Sequence, residues 1–117
     1  ISTTDMVKRL LGEIESPCFQ ILWDGAHLMH ASDLASTGAA LETMAKTFGS
    51  KVVLAHANDV RLGEAGKTES CRAGTGKLDY RAYIGQLRGL GREVFLCLEH
   101  VKEPEVADSV AFLRRHL

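Results

Sequence analysis

The chain has 117 residues, of which 45% are hydrophobic and 25% are charged, and its formal net charge is −1, as in an ordinary globular protein. No apolar stretch approaches the roughly 18 residues that would cross a membrane, and the first residues lack the charged and apolar regions of a signal peptide. Because acidic and basic residues are interleaved, there is no basic field to grip a nucleic-acid backbone, so we expect neither membrane nor nucleic acid as a partner.

Two kinds of apolar pattern alternate along the chain. Four segments carry apolar residues at the helical period and are predicted to be helices: residues 4–15, 33–48, 79–90 and 104–116. Three short, continuous apolar runs between them predict strands: residues 19–24, 51–56 and 93–99. The long segment over residues 57–77 is polar and rich in glycine, and we predict a loop there.

This alternating order predicts a fold of the α/β class with a parallel sheet and right-handed crossovers. Continuous apolar runs favour strands that are buried on both faces, so Cys97, inside the third run, is expected to be a core residue. A complete (β/α)8 barrel needs about 250 residues. We therefore interpret residues 1–117 as one domain, the C-terminal part of a TIM barrel, present as a fragment or a partial barrel that begins at Ile1 almost directly in a helix.

The cysteine content bears on location. The three cysteines, Cys18, Cys71 and Cys97, are odd in number and lack the spacing of a metal finger. This pattern fits a reducing compartment better than a disulfide scaffold. The sequence therefore predicts a cytoplasmic location.

Each predicted strand ends on a residue that can bind a metal, namely Asp24, His56 and Glu99. Parallel strands point their carboxyl ends towards one rim, so we expect these side chains to converge. Taken alone, Asp24 fits a turn or helix cap and His56 fits a hydrogen-bonded core histidine. Glu99 would be costly to bury without a cation. Together they predict a site for a divalent metal, with Mn²⁺, Mg²⁺, Co²⁺ and Zn²⁺ all compatible.

Other polar residues flank these three positions. His27, three residues after Asp24, can reach a substrate oxygen or a second metal. Asn58 and Asp59 can orient His56 or simply form a turn.

Residues 63–68 resemble a phosphate-binding loop. The loop motif needs four residues between its glycines and this segment has two, so we predict no nucleotide site there.

Four segments, residues 22–27, 54–59, 74–80 and 98–99, resemble the xylose isomerase-like TIM-barrel superfamily, and within it the sugar (phosphate) isomerase/epimerase proteins. The resemblance implies a divalent metal held by four residues from the last four barrel strands. Asp24, His56 and Glu99 match the last three of them, and the first, a glutamate, would precede Ile1. An incomplete ligand shell weakens both metal affinity and geometry, so activity of this chain alone stays an open question.

The same resemblance implies a reaction and its residues. In the family, proton transfer next to a sugar carbonyl proceeds through a metal-stabilised enediolate, and Glu99 would serve as catalytic base as well as ligand. His27 matches the family's substrate-contacting histidine. The family's loop arginine corresponds loosely to Arg72 or Arg61, either of which could hold a phosphate or hydroxyl, although a solvated loop arginine is the commoner outcome.

Two alternatives remain at this point. Endonuclease IV-like AP endonucleases share the superfamily and a His-x-Asn-Asp stretch, but they use three zinc ions and an extra Asp-x-His pair in the long loop. Residues 61–73 contain no histidine. The other alternative is a non-catalytic partial barrel that self-associates, because exposed sheet edges make a lone monomer unfavourable. The expected partners are therefore a small sugar or sugar phosphate, and either a second copy or the missing half of the barrel.

Overall fold

Four helices and four strands make up the computed structural model, which describes residues 1–117. Their bounds, in chain order, are α1 Thr4–Glu13, β1 Ile21–Asp24, α2 Thr37–Phe48, β2 Val52–Leu62, β3 Thr68–Arg72, α3 Tyr80–Gly89, β4 Phe95–Leu98 and α4 Val106–Arg114. All four predicted helices and two of the three predicted strands are present with shorter bounds, whereas β2 extends beyond its predicted end at residue 56 to Leu62. Among the helices, the largest difference is at α2, since residues 31–35 form a separate 3₁₀ turn and Ser36 interrupts the helical backbone.

Strand β2 lies at the centre of the sheet and pairs in parallel with β1 on one side and β4 on the other. In this register Asp24 lies opposite His56, and His56 lies opposite Cys97, two residues before Glu99. The predicted parallel α/β arrangement is confirmed. The three strand ends meet at one edge of the sheet because the strands run in the same direction.

The predicted loop over residues 57–77 is wrong over most of its length. β2 continues to Leu62, turns through residues 64–66 and returns as β3, with antiparallel pairs from Asn58–Arg72 to Leu62–Thr68. The turn is possible because Ala65 and Gly66 both adopt positive φ. The outer part of this β2–β3 hairpin projects beyond the sheet and is largely exposed, so polar residues do not prevent strand formation.

Helices cover one face of the sheet, and the core lies between them. Trp23 of β1 packs edge-to-face against Phe48 of α2 and Tyr83 of α3, with ring centroids 5.6 and 5.0 Å apart. Such pairs stabilise by about 0.5–1.5 kcal/mol each beyond simple burial. No helix combines the length and the apolar character that crossing a membrane requires.

The opposite face of the sheet is uncovered. Leu22 and Phe95 are 48% and 65% exposed, and Cys97 is also exposed. We call this surface, formed by Leu22, Leu54, Phe95 and Cys97, the open face. The predictions that the strands are buried on both faces and that Cys97 is a core residue are therefore wrong, because helices pack on only one side. In a closed barrel the open face would point to the interior.

Candidate metal centre

Asp24 ends β1 and uses its two carboxylate oxygens differently. Oδ1 accepts hydrogen bonds from the backbone N–H groups of Ala26 and His27, at 3.0 and 2.8 Å, and so closes the turn after the strand. Oδ2 faces the neighbouring strands. The turn role and the site role, which the sequence offered as alternatives, occur in the same side chain.

His56 lies next to Asp24 on the central strand. Its Nδ1 is 3.4 Å from Asp24 Oδ2 and 3.1 Å from Glu99 Oε2. Beneath the site, the Tyr83 hydroxyl donates to the backbone carbonyls of Trp23 and His56, which fixes β1 against β2. Burial raises the pKa of Tyr83, so the hydroxyl keeps the proton that it donates.

Glu99 follows β4 directly, and its backbone N–H donates to the carbonyl of Ala57 on β2. This bond extends the strand pairing by one residue and places the carboxylate at the same edge as His56. Glu99 Oε2 is also 3.6 Å from Nε2 of His100, whose backbone has a positive φ of 51°. The sequence predicts no role for His100, although this residue directly follows Glu99.

The Asn58 side chain is hydrogen-bonded to both Asp24 and Glu99. Its side chain is fully buried, and its Nδ2 donates to Asp24 Oδ2 and to Glu99 Oε2, at 2.9 Å in each case. Its Oδ1 is buried without a hydrogen-bond partner. The sequence suggested that Asn58 orients His56, but the structure places its amide on the two carboxylates instead.

The donor set suits a divalent cation. One ligand atom each from Asp24, His56 and Glu99 lie within 4.8 Å of one another. Ligands on one ion at about 2.1 Å are separated by roughly 3–4 Å, so a small closure of the side chains would bring all three into contact with a cation. Two carboxylates and an imidazole match Mn²⁺, Mg²⁺, Co²⁺ or Zn²⁺, the set expected from the sequence.

Electrostatics keep Asp24 charged. Burial raises the pKa of this carboxyl, but hydrogen bonds with the His27 N–H and with the Asn58, Glu99 and His56 side chains together outweigh that effect. The pKa of Asp24 therefore lies below its ordinary value. The group is ionised at neutral pH, which is the state that binds a metal.

The three residues predicted to contact substrate each contact another part of the chain. His27 follows the Asp24 turn and is exposed, with Nε2 3.2 Å from the backbone oxygen of Ile1. Arg61 is paired with Glu69 across the β2–β3 hairpin at 2.6 Å, and Arg72 lies 3.8 Å from Glu105. Neither arginine contacts the three ligands, and a substrate role for them stays a prediction.

A partial α/β barrel with ligand-type side chains at the carboxyl ends of its parallel strands belongs to the class of TIM-barrel-derived proteins. The model of the family described as xylose isomerase-like TIM barrel matches residues 1–116, and the chain belongs to this family. The comparison with curated proteins finds no match.

The fold is also similar to that of a xylose isomerase domain protein from Planctomyces limnophilus. The TM-score is 0.76 and the sequence identity 17%, over 97% of this chain and 43% of that one. At this identity the similarity shows the fold alone. The chain spans less than half the length of that protein.

Proposed function

We propose that this chain carries part of the active site of a divalent-metal-dependent sugar or sugar-phosphate isomerase or epimerase. The observation that supports the proposal best is the convergence of Asp24, His56 and Glu99 at the carboxyl edge of the sheet. Family membership makes this edge the expected place for chemistry. The chain has three free cysteines, which accords with a cytoplasmic location.

A bound cation, Glu99 and His27 would have different roles in the reaction. A bound cation would polarise a sugar carbonyl or hydroxyl and so acidify the neighbouring C–H. Glu99 has the most exposed of the three ligand side chains, at 37%, so it is the one best placed to reach a substrate and move its proton. His27, exposed at the same edge, would donate a hydrogen bond to a sugar oxygen. The second acid–base group that the family uses would come from outside residues 1–117.

The endonuclease alternative gains no support. The segment in which it requires an additional Asp-x-His pair forms the β2–β3 hairpin and the turn after it, and residues 61–73 contain no histidine. The exposed arginine of this hairpin, Arg61, is paired with Glu69, so the hairpin does not form a strongly basic surface.

Calorimetric titration with Mn²⁺ tests the metal centre. We expect one ion per wild-type chain, and a loss of binding in the His56→Ala variant. The His30→Ala variant is the matched control, since His30 is exposed and contacts none of the three ligands; its affinity should equal that of the wild type. If the wild type gives neither heat nor a rise in melting temperature with Mn²⁺, the non-catalytic partial barrel is the better description.

Proton exchange tests the reaction separately. With Mn²⁺ and D₂O, we expect deuterium to enter D-fructose or D-fructose 6-phosphate next to the carbonyl, as followed by NMR. Replacing the base in Glu99→Gln should slow this exchange by about 10²-fold or more. Metal binding without exchange would leave a cation site but no isomerase.

A further inference from the structure

The amide of Asn58 lies between the two acids of the candidate metal centre. Asn58 and His56 are two residues apart on β2 and therefore face the same side of the sheet. From this central strand the Asn58 Nδ2 reaches one acid on each neighbouring side, Asp24 from β1 and Glu99 from β4. His56 Nδ1 lies 3.4 and 3.1 Å from the same two oxygens, whereas Asn58 donates to both at the shorter distance of 2.9 Å.

The orientation of this amide is determined by the acids. If it were reversed, Oδ1 would face two carboxylate oxygens, and like-charged atoms would meet. In the observed orientation both acids are satisfied, but Oδ1 is buried without a partner. Leaving a buried acceptor unpaired costs its full desolvation, and such an exception in a folded protein calls for an explanation.

We infer that Asn58 is a positioning residue, which holds Asp24 Oδ2 and Glu99 Oε2 side by side before a cation arrives. Two carboxylate oxygens that accept from the same amide nitrogen lie close enough to repel each other, and the partial positive charge of the amide hydrogens offsets that repulsion. A carboxylate oxygen has lone pairs for both a hydrogen bond and a metal, so Asn58 can stay bonded when the ion is present. This role rests on the proposed metal site.

The test is metal binding by the Asn58→Leu variant. Leucine has a similar volume, removes both donated hydrogen bonds, and also removes the unpaired acceptor, so the fold should be retained. Losing a group that orients metal-binding carboxylates typically weakens affinity by about 10–100-fold. We therefore expect the dissociation constant for Mn²⁺ to rise by that factor. At saturating Co²⁺, the visible absorption bands should shift, because the carboxylates are no longer held at the same spacing.

A matched control separates positioning from general loss of stability. Thr37 is also buried and polar, and its hydroxyl bonds to backbone atoms of Lys77 and Asp79 away from the metal centre. Thr37→Val should lower the melting temperature and leave Mn²⁺ affinity and the Co²⁺ spectrum unchanged. If Asn58→Leu does not fold, Asn58→Ser serves instead, and we expect weaker binding there too.

The outcomes are distinct. If the wild type binds Mn²⁺ and the Asn58 variant binds it equally well with an unchanged Co²⁺ spectrum, Asn58 only fills space, and the inference is overturned while the metal site stands. If the wild type binds no metal at all, both the inference and the proposed function fall. Weaker binding together with a shifted spectrum supports the positioning role.

Discussion

Asp59 is the most heavily hydrogen-bonded side chain near the site, yet it contacts none of the three ligands. It is 2% exposed, and its carboxylate accepts from four backbone N–H groups, those of Val60, Gly74, Gly76 and Leu78. The turn that joins β3 to α3 is therefore folded around this one side chain. The position of α3, and with it Tyr83 beneath the site, depends on Asp59.

The Asp59→Asn variant should show this dependence. Asparagine places an N–H₂ group where an acceptor is required, so at least one buried backbone donor loses its partner. We expect the free energy of unfolding to fall by about 2–4 kcal/mol, measured by urea denaturation. Asp33→Asn is the control, because Asp33 accepts a single hydrogen bond from the His30 backbone at the surface; a change there above about 1 kcal/mol would show that the loss is not specific to Asp59.

Cys71 offers a second test at the residue scale. Burial raises the pKa of its thiol, a hydrogen bond with Thr75 lowers it, and the nearby Asp59 carboxylate raises it, with a net increase. Because the thiolate is the reactive form, iodoacetamide at pH 8 should modify Cys71 more slowly than the exposed Cys18. The Cys71 rate should keep rising with pH above 9. Peptide mass mapping measures both rates in one sample, and equal rates at pH 8 would contradict the expectation.

Among the elements, the segment from β2 to α3 shows how tightly the chain packs next to the site. A Cβ on Gly76 would lie 2.4 Å from the Val60 carbonyl oxygen and from Asp59 Oδ1. Gly76→Ala would therefore push the turn away from β2. We expect a loss of about 1–3 kcal/mol of stability from this overpacking.

Gly85→Ala is the natural comparison for Gly76→Ala. Gly85 lies within α3, and a Cβ there would meet nothing within 4 Å. Alanine in a helix interior is favoured over glycine by about 0.5–1 kcal/mol, so this variant should raise the melting temperature. Opposite signs for the two substitutions in thermal denaturation would confirm the packing at Gly76; equal signs would contradict it.

Whether an element could be predicted depends on whether its residues form an apolar pattern. The apolar runs before Asp24, His56 and Glu99 revealed both the strands and the strand-end side chains, because a ligand that ends a parallel strand is adjacent in sequence to that strand. The hairpin was missed because β3 (Thr68–Arg72) is polar and pairs with an extension of β2 that projects from the sheet. A polar segment of this kind carries no burial signal.

The bridging role of Asn58 could not be derived from the sequence for a different reason. This role depends on Asp24 and Glu99, which are 34 and 41 residues away in the sequence. A sequence does not indicate whether the nitrogen or the oxygen of an amide points towards such distant side chains. The prediction that Cys97 is a core residue failed for another reason. Its apolar neighbours indicated a strand buried on both faces, but burial also requires another part of the protein to cover the open face.

For the whole molecule, that open face is the dominant feature. Leu22 and Phe95 are exposed on it, and β1 and β4 each have an unpaired outer edge. A cavity of about 230 Å³ lies along β1 beside Asp24 and His27, with a mostly aliphatic lining. Apolar surface and free strand edges together favour association with further strands. When residues 1–117 are the only chain present, we propose that a second copy supplies them.

Light scattering coupled to size exclusion tests this association. We expect a mass of at least twice the 12.8 kDa of one chain, and Phe95→Glu should shift it towards the monomer by placing a charge on the open face. Met6→Glu is the matched control, since Met6 is 48% exposed on α1 and its replacement should leave the mass unchanged. Alkylation of Cys97 should be slow in the associated wild type and fast in Phe95→Glu, because association covers the open face. A folded wild-type monomer with a freely reactive Cys97 would show that the open face is stable in water, and self-association would be rejected.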